Sequence, residues 1–397
     1  MSDPWLTIIG LGEDGAQGLS AAAREALEQA ELVIGAPRHL ALLPALRAQR
    51  LEWPVPFADG IALLLAHRGR AVAMLASGDP FWFGAGAVVA RHLDPGEWRT
   101  LPVPSTFTMA AARLGWALQD TVCLGLHAAP LTRLRPHLAP GRPIIALMRD
   151  GEQVGELARY LTEQGFGGSH LHVMEALGGP RERIRCAAVE TLNFTDIAHP
   201  VAVGIVPGAG PALPTISGLP DDLFASDGQI TKRPIRALTL SALAPRAGET
   251  LWDIGAGSGS IGIEWLLAHR ANRALAIEAD PVRAARARAN AAKLGVDHLQ
   301  VIEGRTPDTW PEGPPPDAVF IGGGLSEALL EAIWKRLPRG TRLVANAVTL
   351  ESECLLAQWH GRKGGALLRI ELADAAPIGT RHGWRARYPV VQWSVSL

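Results

Sequence analysis

The segment Leu251-Trp252-Asp253-Ile254-Gly255-Ala256-Gly257-Ser258-Gly259-Ser260-Ile261-Gly262-Ile263-Glu264, followed by Ala276-Ile277-Glu278-Ala279-Asp280, constrains this chain more than any other stretch. A short apolar run enters a glycine turn and then a helical pattern, and only such a turn lets backbone N–H groups approach a nucleotide-like ligand closely. A second apolar run ends in Glu278, where a carboxylate can accept both hydroxyls of a ribose. The pattern predicts a strand–turn–helix–strand unit of a parallel α/β sheet carrying a nucleoside-cofactor site.

Gly257, Gly259 and Gly262 also fit the dinucleotide fingerprint G-x-G-x-x-G, which is a weak pattern on its own. Two features favour S-adenosylmethionine over NAD. Asp253, just ahead of the first glycine, is placed to meet an ammonium group, which the methionine moiety has and a pyrophosphate lacks. Further on, Leu368 to Leu372 and Val390 to Leu397 both read as strands, the latter alternating around Gln392, Ser394 and Ser396. A parallel sheet closed by an antiparallel hairpin is therefore expected.

A chain of 397 residues is too long for one ordinary core. From Trp5 to about Ile205, apolar runs such as Leu6 to Ile9, Leu32 to Ile34, Ala71 to Leu75 and Ile144 to Met148 alternate with amphipathic helices, which predicts α/β layers with largely parallel strands. The Pro- and Gly-rich stretch from Pro207 to Pro214 reads as a linker, so domains are expected at 1–206 and 219–397 with 207–218 between them. The formal charge of −1 disfavours a nucleic-acid partner. Cys123, Cys186 and Cys354 have neither C-x-x-C spacing nor an even count, so no metal site or disulfide framework is indicated and they read as buried thiols in a reducing compartment. The N-terminus lacks a signal-peptide pattern and no apolar stretch reaches membrane-spanning length, which predicts a cytoplasmic chain with no membrane partner.

Three loops of the first half fall at expected strand ends: Gly10 to Gly15, Leu75 to Gly84, and Pro102 to Thr108. Such loops bind ligands in open α/β sheets, so the three are candidates for one cleft, and each is equally readable as an ordinary turn. Ser77-Gly78-Asp79-Pro80-Phe81-Trp82-Phe83-Gly84 closely resembles the signature of the tetrapyrrole (corrin and porphyrin) methylase family. The stretch from Glu175 to Ile184 looks like that family's late motif, and His127 sits where its mid-chain Ser-x-His-Gly-Arg would. The second half, with Asp227 to Arg236 ahead of the glycine turn, resembles the decarboxylating precorrin methyltransferases of cobalamin biosynthesis. Glu13-Asp14 in place of Pro-Gly, Val103 in place of Gly, and Gly125 and Ala128 in place of Ser and Gly depart from the usual pattern.

The resemblance implies an N-terminal tetrapyrrole-methylase-like domain of two α/β subdomains and a C-terminal Rossmann-like methyltransferase domain, each with one S-adenosylmethionine site. Donor contacts implied in the first are Ser77, Gly78, Asp79, Trp82, Ser105, Thr106, Met148 and Leu177. Those in the second are Thr231, Gly255, Ala256, Gly257, Ser258, Gly259, Glu278 and Thr306. The implied reactions are methylation of a precorrin at carbon 5 in the first domain, and methylation at carbon 15 with loss of the ring C acetate carboxyl in the second, in an order the resemblance leaves open. A homo-oligomer, as a tetramer through the second domain, is a further implication. Asp79 and His127 are the candidate proton handlers, and no general base is assigned.

Substrate carboxylates call for cations, Arg above Lys. The candidates are Arg181, Arg183 and Arg185 in the first domain, and Lys232, Arg233, Arg236, Arg381, His382 and Arg385 in the second. Gly322 to Gly324 would clear space for a broad, flat ligand. Rival readings are a nicotinamide-dependent oxidoreductase, a methyltransferase acting on RNA or protein, and a non-catalytic tetrapyrrole carrier.

Overall fold

The computed structural model describes residues 4–397. The chain divides into two compact units, Met1–Leu131 with His137–Ala212, and Thr132–Pro136 with Leu213–Leu397. In the first, β1 (Leu6–Leu11), β2 (Leu32–Gly35), β3 (Gln49–Glu52), β4 (Val72–Ser77) and β5 (Trp98–Leu101) form a parallel sheet in the order β3-β2-β4-β1-β5. Strand side chains alternate between two clusters: Ile9, Val33 and Leu75 pack with the helix Ala21–Gln29, while Ile8, Ile34 and Met74 pack with Leu64 and Trp53. That two-sided burial is why these strands read as unbroken apolar runs. Since all five strands run one way, the loops after β1, β2, β4 and β5 leave at one edge. Gly10 sets their crowding, because a Cβ there would fall 2.0 Å from Gly78 O and 2.8 Å from Val103 N.

The second sheet of this unit has the order β6-β7-β10-β8-β9, from β6 (Val122–Gly125), β7 (Ile144–Met148), β8 (His170–Glu175), β9 (Arg183–Ala188) and β10 (Val201–Val206). Only β6 and β7 pair in parallel. The expectation of largely parallel strands is thus corrected here. Residues 176–182 between β8 and β9 are too few for a crossover connection, so β9 must return antiparallel. The helix Thr106–Leu114, capped by the Ser105 hydroxyl on Thr108 N at 3.1 Å, buries Phe107, Ala110 and Ala111 against Ile145, Met174 and Ala202 of this sheet.

The second unit is built on β11 (Thr250–Ile254), β12 (Arg273–Glu278), β13 (Gln300–Glu303), β14 (Ala318–Ile321), β15 (Arg342–Ala347), β16 (Ala366–Ile370), β17 (Ala373–Ile378), β18 (Arg381–Ala386) and β19 (Val390–Ser396). Its main sheet has the order β13-β12-β11-β14-β15-β19-β16, parallel through β15, with β19 antiparallel to both neighbours. The parallel sheet closed by an antiparallel hairpin is present. The separate ribbon β17–β18 was not expected: apart from Ile378 and Trp384 its residues are small, polar or charged and largely exposed, so it carries no apolar alternation. No helix or strand forms from Pro207 to Pro220. Among the described residues no helix is long and apolar enough to cross a membrane. Cys186 and Cys354 are exposed and Cys123 is half-buried, which corrects the reading of all three as buried thiols: Cys186 lies on the edge strand β9 and Cys354 on an open helix face.

Candidate functional site

In the second unit β11 runs straight into the glycine turn. Gly255, Gly257 and Gly259 have φ of +70°, +57° and +76°, where other residues are strained. A Cβ on Gly255 would lie 2.6 Å from the Gly323 backbone, and one on Gly259 would lie 3.0 Å from Ala287 Cβ in the helix Pro281–Lys293. At Gly257 nothing is nearer than Gln229 O at 3.7 Å, so its face is left open. Glu278, at the end of β12, accepts from Gly257 N at 2.7 Å and from Asp280 N at 3.0 Å. Ser258 Oγ and Thr306 Oγ1 are buried without a hydrogen-bond partner. Gly255, Gly257, Ser258, Glu278 and Thr306, with Thr231, Ala256 and Gly322 to Gly324, border a cavity of about 790 Å³. A carboxylate on a backbone cradle, a glycine face and two unpaired hydroxyls fit an adenosyl group.

Two predicted contacts lie elsewhere. Gly259 serves helix packing and does not border the cavity. Asp253 is 1% exposed and also stays off the wall, its Oδ2 accepting from Gly262 N at 3.0 Å. Side chains alternate along β11, and Asp253 shares the face of Leu251, covered by the helix Ser260–Ala268, rather than the strand's open end.

Burial raises the Asp253 carboxyl to about 7, against the pull of the Gly262 N–H and with Glu278 adding to the rise. In the unfolded chain it ionises near 3.8, so between those values folding retains a proton that unfolding releases, and stability falls as pH rises through that window. Asp253→Asn keeps an oxygen for Gly262 N and removes the titration. It is expected to flatten the pH dependence of this unit's urea midpoint between about pH 4 and about pH 7.

In the first unit, Ser77, Gly78, Asp79, Trp82, Ser105, Thr106, His127, Met148 and Leu177 all border one cavity of about 890 Å³. The three loops converge as the chain folds: Gly78 N donates to Leu11 O at 3.0 Å, and a Cβ on Gly78 would lie 3.2 Å from Ser105 Cα. Asp79 Oδ1 accepts from Phe81 N at 2.8 Å, so one carboxylate oxygen is engaged in turning its own loop. Partial burial lowers the His127 pKa. Trp82 and Phe83 are about half exposed over the cavity and lean on Phe107, and Phe83 holds a φ of +55°.

The departure at Gly125 now has a physical reason, since a Cβ there would fall 2.9 Å from Phe83 Cδ1 and 3.3 Å from His127 Cε1. Gly125→Ser is expected to displace Phe83 at a cost of about 1–3 kcal/mol, read as a lower thermal midpoint together with weaker donor binding in this unit.

Beside Glu13 of the first predicted loop, residues not singled out from sequence also border this cavity: Arg38, His39 and His199. Arg38 and His39 open the helix Pro37–Ala41 directly after β2, at the same sheet edge as the predicted loops, so the strand-end rule that found the others also covers them. Several expected substrate cations are already engaged. Arg183 and Arg185 both pair with Glu175 and Asp196 at 2.6–2.9 Å. Arg181 reaches Glu13 at 3.3 Å. Arg236 is fully buried, bound to Glu264 at 2.6 Å and Asp221 at 2.9 Å, and Arg381, His382 and Arg385 lie on the ribbon, off the cavity wall. Arg233 is also off that wall; Lys232 borders the cavity, as does the unforeseen Arg305, and neither side chain has a partner among the described residues. Among the described residues no group of three or more His, Cys, Asp or Glu is arranged to hold a metal ion.

Residues 5–193 match the family model of Tetrapyrrole (Corrin/Porphyrin) Methylases, and residues 222–397 match that of the Precorrin methyltransferase domain. The chain is 48% identical over 397 residues to the Precorrin-6Y C(5,15)-methyltransferase (decarboxylating) of a Sinorhizobium species, covering 98% of this chain and 96% of that one. It is 40% identical over 400 residues to the protein of that name from Mycobacterium tuberculosis, covering 98% and 99%. A crystal structure of the C-terminal domain of precorrin-6Y C5,15-methyltransferase from Rhodobacter capsulatus is 50% identical, covers 47% of this chain and all of that one, and has a TM-score of 0.45. With 48% and 40% identity to these two relatives over 98% of its length, the chain belongs to the family of decarboxylating precorrin-6Y C5,15-methyltransferases.

Proposed function

We propose that the chain transfers methyl groups from S-adenosylmethionine to carbons 5 and 15 of precorrin-6B (precorrin-6Y) and releases the ring C acetate carboxyl as carbon dioxide, giving precorrin-8. One donor binds in each unit. Methylation at carbon 5 belongs to the first, and methylation at carbon 15 with decarboxylation belongs to the second. The observation that carries this reading is that each unit has its own large cavity floored by strand-end loops, about 890 Å³ in one and about 790 Å³ in the other.

The bound donor supplies an activated methyl group on a sulfonium, whose charge disperses during in-line displacement, so alignment and exclusion of water supply much of the rate. In the second unit Glu278 orients the ribose, Ser258 and Thr306 offer their unpaired hydroxyls, and Gly322 to Gly324 leave a ledge without side chains for the macrocycle. Lys232 and Arg305 are placed for its carboxylates. In the first unit Trp82 and Phe83 present an apolar platform suited to a flat ring system. A reduced tetrapyrrole is itself nucleophilic at its bridge carbons, and the electrons released with carbon dioxide pass into its conjugated system. No protein nucleophile is needed.

Assembly as a homo-oligomer, a tetramer through the second unit, is part of the same reading, with the exposed Trp384 of the ribbon β17–β18 as an apolar side chain available to it. Exposed thiols at Cys186 and Cys354 suit the reducing cytoplasm. Incubation of the full chain with precorrin-6B and labelled donor is expected to add two methyl groups and release one carbon dioxide per substrate. A single methyl group, or one donor-binding event by calorimetry where two are expected, overturns the reading.

A further inference from the structure

Ser77 and His39 form a hydrogen-bonded pair on the wall of the first-unit cavity, and the contacts around them fix where their protons sit. Arg38 Nη2 lies 3.0 Å from His39 Nε2 and 2.8 Å from Ser77 Oγ. A guanidinium only donates, so Nε2 presents a lone pair and the neutral ring carries its hydrogen on Nδ1. Ser77 Oγ is 2.9 Å from the same Nε2, and its hydroxyl therefore donates there. One Ser77 lone pair is left for the cavity, which the exposed side chain borders. His39 is 7% exposed and its Nδ1 has no partner. Burial first, and Arg38 second, lower its pKa to about 4 and keep the imidazole neutral. The other charged groups at this point are Glu13, which accepts from Arg38 and from Arg181, and His199, whose pKa is lowered by burial and by Arg38.

We propose that Ser77 and His39 are the proton relay of the first unit: Ser77 takes the proton that a freshly methylated bridge carbon must shed, and His39 positions Ser77 and receives its hydrogen. The inference rests on reading this unit as the carbon 5 methylase. A bridge carbon bearing one hydrogen bonds to the methyl carbon with an electron pair of the macrocycle, the S–C pair leaves with sulfur as a thioether, and the macrocycle becomes cationic. The C–H pair then returns to the macrocycle, the proton binds Ser77 Oγ, the Ser77 hydrogen passes to His39 Nε2, and the imidazolium yields it to water as products leave. A C–H beside a cationic π system is strongly acidic, so an imidazole held a weak base by burial and Arg38 suffices and discharges readily.

In the full chain, His39→Gln and Ser77→Ala are expected to slow carbon 5 methylation by about 100-fold or more, the range for general-base loss, while donor affinity in the His39→Gln chain stays within about threefold. Deuterium at that bridge carbon is expected to slow the Ser77→Ala chain but not the parent, because C–H cleavage becomes limiting only in the variant. Added imidazole is expected to restore His39→Gly, a rescue that a purely structural histidine does not show. Ser77→Ala removes one atom from an exposed side chain and guards against a folding failure of the histidine variants. Variants that add both methyl groups at the parent rate, or a His39→Gln chain that loses donor binding instead of turnover, overturn the relay. A parent chain that adds no methyl group at carbon 5 overturns the functional reading itself.

Discussion

Glu278→Ala is expected to weaken donor binding in the second unit by about 100- to 1,000-fold. In the proposed site this carboxylate takes the two ribose hydroxyls, and charge-assisted hydrogen bonds contribute about 1.5–3 kcal/mol each, so losing two near the lower end of that range costs roughly 3–4 kcal/mol. The substitution also strips the acceptor from Gly257 N and Asp280 N, which lie 2.7 and 3.0 Å from it, so the glycine turn loses its tether to the end of β12. Calorimetry on the full chain should show the second-unit event vanish while the first-unit event persists. In turnover, the expected product lacks the carbon 15 methyl group and retains the ring C acetate. Two donor events with parental affinities would remove Glu278 from the site.

Arg236→Ala should destabilise the second unit by about 3–5 kcal/mol, because it leaves one member of a buried ion pair without its counter-charge. Arg236 has no exposed surface, and its guanidinium meets Glu264 Oε1 at 2.6 Å, Asp221 Oδ1 at 2.9 Å and the carbonyls of Thr231 and Leu219. Glu264 in turn accepts from Gly218 N at 2.6 Å and Leu219 N at 2.9 Å. One buried pair therefore anchors the chain entering this unit and the Thr231 segment that borders the cavity. The loss should appear as a lower urea midpoint for the second unit, with donor binding weakened there and unchanged in the first. Replacing both partners by apolar residues, Arg236→Met with Glu264→Leu, is expected to recover much of the stability but not the placement of Thr231. A single variant within about 1 kcal/mol of the parent would show the pair to be incidental.

The glycine turn and Glu278 were legible because their evidence is local. Left-handed backbone at Gly255 and Gly257 admits few other residues, and a carboxylate ending the next strand of a parallel sheet must arrive beside that turn. The loop at Ser77 to Gly84 was legible through family resemblance, and its convergence with the loops at Gly10 and Pro102 followed once all the strands ran one way. The cations were the opposite case. Arg183, Arg185 and Arg236 look like any other arginine in sequence, whereas the Arg38–His39 pair was marked only by its place after β2 and Arg305 was not singled out. Whether a guanidinium is spent on a carboxylate depends on residues such as Glu175, Asp196 and Glu264 that only folding brings within 3 Å of it.

From its residues alone, then, this chain was bound to form two α/β layered bodies and a left-handed glycine turn after Ile254, because glycine placement and apolar periodicity dictate local backbone conformation, while the loop after β4 was marked by family resemblance. Tertiary structure alone decided that Asp253 turns beneath its helix, that β10 inserts antiparallel between β7 and β8, which arginines border a cavity, and that His39 meets Ser77. Those outcomes depend on desolvation and on partners distant in sequence, and neither is encoded by any local spacing.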